Sequence, residues 1–121
     1  MDRSDMTILT SFLFQTYSSS KVESSEVIDA FTRSFGWMDR DVFSFILRRY
    51  VADRNQYFPR VNDIENLISK MREEQKLILE DPRNRFYAEV SEEAGQRRRK
   101  KLVQASEFLK RTEKGTRELL K

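Results

Sequence analysis

The dipeptide Phe58-Pro59, set between two stretches of helical periodicity, constrains this chain more than any other feature. Before it, Val42, Phe43, Ile46, Leu47 and Tyr50 recur at three- and four-residue spacing and so share one helical face, with Asp39 placed to cap the first turn. After it, Ile64, Leu67, Ile68 and Met71 resume the period. Asn62, Asp63 and Glu65 fall in that first turn, where carboxylates and capping side chains suit the free amides and the helix dipole. Proline lacks an amide hydrogen and pushes the preceding residue to an extended conformation, so no helix passes through this point unbroken. The stretch from Phe35 to Lys70 is therefore predicted to be a helical corner pinned by Phe58 and Pro59, its first helix ending near Arg54.

The flanking segments extend the helical pattern. Ser4 or Asp5 caps a first helix whose Ile8, Leu9, Phe12, Leu13 and Tyr17 form an apolar stripe, with Phe14 off it. After the polar break Ser18-Ser19-Ser20, a second helix starts at Ser24 or Ser25, has Val27, Ile28, Phe31 and Phe35 on one face, and ends at Gly36. The helix after the corner continues to about Leu79, before Asp81-Pro82. With Asp81 as cap and Pro82 in the first position, a weak stripe of Phe86, Tyr87, Val90 and Ala94 predicts a further helix ending at Gly95. No strand-like alternation bounded by turn residues occurs. The expected class is all-α, a small bundle of four to five helices with a basic helical C-terminal extension.

Aromatic residues and charge divide the chain in opposite ways. Eleven of the fourteen aromatics lie at or before Phe58, which puts the core there. Residues 1–82 carry eleven Lys or Arg against fourteen Asp or Glu, whereas residues 83–121 carry twelve against six. The expected organisation is a compact helical domain over residues 1–82 and a basic amphipathic extension over 83–121, helical or flexible until bound.

Function classes narrow by what is missing. The chain has no cysteine and no histidine, which removes Cys/His metal sites, thiol nucleophiles and His-based triads. Its three glycines, Gly36, Gly95 and Gly115, have no phosphate-loop spacing. The carboxylate pairs Asp39/Asp41 and Glu73/Glu74 are too close in sequence to face one another on a helix. No enzyme, metal or cofactor is expected. The opening Met1-Asp2-Arg3-Ser4-Asp5 lacks a basic start and apolar h-region, no apolar run nears the ~20 residues of a bilayer span, and the expected setting is a cell interior without membrane contact.

The remaining candidate is the block Arg97, Arg98, Arg99, Lys100 and Lys101. Five cations in a row suit nucleic-acid phosphates through counterion release, an acidic protein surface, or simple solvation. In a helix over residues 97–111, Leu102, Val103, Ala105, Ser106 and Leu109 form an apolar strip beside the cations, which favours a protein groove, with Leu102 and Leu109 as its main contacts. A groove-reading helix at Asn62 to Lys70 is disfavoured by Asp63, Glu65, Glu73 and Glu74. Trp37, Tyr57 and Phe58 as a base-stacking platform compete with packing, which suits Trp37 and Phe58 better than Tyr57.

Around the corner the residues carry a resemblance. A first amphipathic helix ends at a tyrosine, Trp37 opens a helix that ends in Tyr50, and Phe58-Pro59 leads to Val61-Asn62-Asp63-Ile64. Over about residues 6–72 this resembles the phage replicative-helicase loader and inhibitor family, with Ser18 and Arg60 standing where proline is common. The resemblance implies that Trp37, Tyr50, Phe58, Pro59 and Ile64 hold a helical domain together. It also implies that a C-terminal part engages a DnaB-type replicative helicase of the host or phage, controlling its loading or activity in the host cytoplasm. The residues by themselves leave two alternatives open: a phage inhibitor that binds host RNA polymerase or a sigma factor, and a helical DNA-binding protein that uses the basic extension directly.

Overall fold

A computed structural model describes residues 1–84, 86 and 92–113, and among them every regular element is a helix. The helices are α1 (Arg3–Thr16), α2 (Ser24–Phe35), α3 (Arg40–Ala52), α4 (Val61–Glu80) and α5 (Glu92–Arg111). The chain divides into two compact units, Met1–Ile68 and Ser69–Lys121, so the division falls within α4, and the sequence boundary at residue 82 lies inside the second unit.

The first unit is built on aromatic packing. Phe31 and Phe35 of α2 meet Phe43 of α3, with ring centroids 5.1 to 6.1 Å apart. Met6, Leu13, Met38, Ile46, Leu47 and Ile64 are almost wholly buried as well. Gly36 follows α2 in a right-handed conformation, so its role is room rather than turn geometry: a Cβ there would stand 2.5 Å from the Thr32 carbonyl oxygen.

A second ring cluster holds the corner. Phe58 packs on Phe14 at 4.9 Å and on Tyr17 at 6.1 Å, and Tyr17 meets Tyr50 at 6.3 Å. The loop backbone is fastened by hydroxyls: Tyr17 donates to the Asn55 carbonyl at 2.8 Å and Tyr50 to the Tyr57 carbonyl at 2.9 Å. Asn55 in turn donates its side-chain amide to the Tyr50 carbonyl at 2.6 Å, satisfying an acceptor that the end of α3 leaves open. Arg54 carries the chain out of α3 at φ 61°, a left-handed position usually taken by glycine. At the start of α4 the Asp63 carboxylate accepts the Arg60 amide at 2.8 Å. Tyr50, Phe58, Pro59 and Ile64 are buried, and Trp37 is half-buried, its indole N–H donating to the Ser34 carbonyl at 3.0 Å.

Two expectations are corrected. In α1 the inward residues are Met6, Thr10 and Leu13, with Phe14 half-buried on Phe58, while Ile8 is 54% exposed and Phe12 38%. Buried Thr10 escapes a hydrophobicity count, yet its hydroxyl donates to the Met6 carbonyl at 2.7 Å, so its burial leaves no polar group unsatisfied. The cap of α1 is Asp2, paired with Asp5 in a capping box. The other correction concerns Gly95, which lies inside α5 and is buried, not at a helix end. Residues 82–84 and 86 are helical, while Tyr87 and Val90 of the expected stripe lie outside the described residues.

Candidate functional site

The second unit pairs the C-terminal half of α4 with α5, antiparallel. At one end Arg72 donates to the Leu109 carbonyl at 2.7 Å and to the Thr112 hydroxyl at 2.6 Å, and that hydroxyl donates onward to the Phe108 carbonyl. At the other end Asn84, 2% exposed, donates to the Ile78 carbonyl at 2.8 Å and accepts from Arg98 of α5. Polar groups thus tie the hairpin at both ends. The apolar share of buried residues is small, Met71 and Ala105 among those described.

Asp81 organises the turn. Its carboxylate accepts the Arg83 backbone amide at 2.9 Å and grips the Arg83 guanidinium with both oxygens, at 3.2 and 3.1 Å. The bonded Arg83 side chain holds the Asp81 carboxyl below its ordinary 3.8, helped by the Arg83 amide and, further off, the charge of Arg98. Leu77, Ile78, Asp81, Arg83, Asn84, Arg98 and Lys101 line a cleft of about 480 Å³.

The basic block is distributed around α5 rather than along one side. Arg97, Arg99, Lys100 and Lys101 are exposed and Arg98 is half-buried against Asn84. The expected apolar strip divides. Ala105 is buried and Leu102 and Leu109 are half-buried on the inward side, whereas Ser106 and Val103 face solvent, Val103 with 62% of its surface exposed. The pairing of α5 with α4 cannot be read from the sequence, because the matching half of α4 is thinly apolar and makes its contact through Arg72. Leu77 and Asn84 are therefore the positions the residue pattern alone misses, and Val103, expected in the strip, faces outward.

The first unit carries a separate feature. Ile8, Leu9 and Phe12 of α1 and Arg40, Asp41, Ser44, Leu47 and Arg48 of α3 line an open groove of about 550 Å³. Arg40 reaches Asp5 at 3.6 Å on its rim. Of the residues weighed as a stacking platform, Tyr57 is exposed, Phe58 is buried and Trp37 is half-buried, so they present no continuous ring surface.

Among the described residues no three Asp or Glu side chains converge as metal ligands, and no helix is long and apolar enough to cross a membrane. The chain matches no protein-family model, no curated protein and no solved structure.

Proposed function

We propose that this protein is a non-enzymatic phage adaptor that binds a DnaB-type replicative helicase and controls its loading or activity, with the outward face of α5 meeting the partner. The observation that carries the reading is Val103. It is an apolar side chain 62% exposed on an otherwise polar helix face, with Arg99 and Lys100 one turn before it, Ser106 and Glu107 one turn after and Lys110 two turns after. An apolar anchor with three cations and one carboxylate around it suits a protein pocket whose border is mainly carboxylate, the anchor slowing dissociation and the cations steering encounter. The helicase itself is supplied by the resemblance over about residues 6–72.

The test is binding of the full chain to a purified DnaB-type helicase by surface plasmon resonance. Val103→Asp is expected to abolish binding while circular dichroism stays that of the parent. Lys100→Glu is expected to slow association several-fold and leave dissociation nearly unchanged. Undiminished binding by Val103→Asp would reject this face. Binding to host RNA polymerase or a sigma factor, with none to the helicase, would move the protein to the transcription-inhibitor class.

A further inference from the structure

The cleft at the turn of the hairpin has a different character from the outward face of α5. Three cations reach it, Arg83, Arg98 and Lys101, and the one carboxylate among its lining residues, Asp81, is already gripped by Arg83 through both oxygens. Arg98 is not a loose surface arginine. It donates to Asn84, which is almost wholly buried and is itself fixed by the Ile78 carbonyl, so the guanidinium is oriented before any ligand arrives. Lys101 follows Arg98 by three residues and so lies on the same side of α5.

We propose that this cleft is a binding site for a backbone phosphate of a nucleic-acid strand, with Arg98 and Lys101 as the phosphate ligands and Arg83 as the flanking charge. An arginine fork held in place loses little freedom when it takes two oxygens of a tetrahedral anion, and a lysine beside it adds a point charge. The lining favours a polyanion over an acidic peptide. Five of its seven residues are polar or charged and none is aromatic, whereas protein interfaces concentrate aromatic anchors and are depleted in lysine. Exposed Arg97, four residues before Lys101 and so on the same side of α5, extends the positive charge beyond the cleft, as a strand with successive phosphates requires. The site is separate from the Val103 face, and neither depends on the other.

Fluorescence anisotropy of a labelled 20-nucleotide oligo(dT) strand with the full chain, across a salt series, tests this. The parent is expected to bind. Arg98→Gln with Lys101→Gln should weaken binding at least tenfold and flatten the log–log salt slope by roughly 0.7, one phosphate's worth on a single strand. Arg98→Lys keeps the charge but not the fork and should retain only part of the affinity. Val103→Asp should bind oligo(dT) like the parent. The side-chain amide signals of Asn84 should shift on titration with oligo(dT), because its oxygen holds the liganded guanidinium. Equal weakening by Arg99→Gln with Lys100→Gln, on the Val103 side of α5, would overturn the site in favour of diffuse attraction. A glutamate-rich peptide that binds this cleft where oligo(dT) does not would overturn it in favour of a protein ligand, and absence of binding to both would overturn it outright. Inorganic phosphate that shifts Asn84 without any oligo(dT) affinity would likewise reject a strand as the ligand.

Discussion

The two units of this chain are held together by different physics. In Met1–Ile68, eleven aromatic residues and a set of fully buried aliphatic side chains place stability in apolar burial, with hydrogen bonds used to finish the corner. In Ser69–Lys121, the described residues are joined by an arginine on two acceptors at one end and an Arg98–Asn84–Ile78 relay at the other. Apolar burial grows with area and tolerates small shifts; charge-assisted hydrogen bonds depend on direction and lose much when a partner is removed. The first unit is thus built to persist and the second to present its cations on a helix that a few polar contacts maintain.

The largest effect expected is in the ring cluster. Phe43 is fully buried between Phe31 and Phe35, and truncating a core phenylalanine to alanine typically costs about 3–5 kcal/mol. Trp37 is the only tryptophan and lies in the first unit, so its fluorescence follows that unit alone. Phe43→Ala should lower the urea midpoint of the Trp37 signal sharply, and a midpoint close to the parent's would refute an aromatic core centred there.

Next in size is Arg72→Ala. It removes charge-assisted bonds to Leu109 and Thr112, each of a kind that contributes about 1.5–3 kcal/mol. Amide exchange in α5 should accelerate strongly while the Trp37 midpoint stays put. A Trp37 midpoint that fell in step with α5 protection would show the two units unfolding as one, and the contrast between them would be lost.

How far the fold was legible follows the same division. Where burial is apolar and periodic, the residues declare themselves: α2, α3 and the first half of α4 were readable from Ile28, Phe31, Phe35, Val42, Phe43, Ile46, Leu47, Tyr50, Ile64, Leu67 and Ile68. Where polar groups do the work, the pattern misleads. Thr10 is counted as surface although its hydroxyl is satisfied within its own helix, and that error rotates the apparent stripe of α1 onto Ile8 and Phe12, which face outward. In the second unit the basic block was evident, but its subdivision was not. That Arg98 turns inward depends on Asn84, fourteen residues away, and no local periodicity encodes such a contact.

The smallest effect distinguishes a tyrosine used as core from one used as a fastener. Tyr50 is buried, and its hydroxyl donates to the Tyr57 carbonyl across the corner. Burial, together with the negative charge of Asp63 and the neighbouring Tyr17, pushes its pKa from 10.0 up to about 12. Because the folded value is raised, the stabilisation is fully present below pH 10 and is lost as pH climbs through the folded value near 12. Tyr50→Phe keeps the ring on Tyr17 and removes only the hydroxyl, so at neutral pH it should cost about 1 kcal/mol, the net contribution of one hydrogen bond. The same variant should unfold at a higher pH in an alkaline titration followed by Trp37 fluorescence, because one group that must ionise on unfolding is gone. An unchanged alkaline transition in Tyr50→Phe would mean that another group carries the linkage, and the hydroxyl would then be a passive part of an apolar corner.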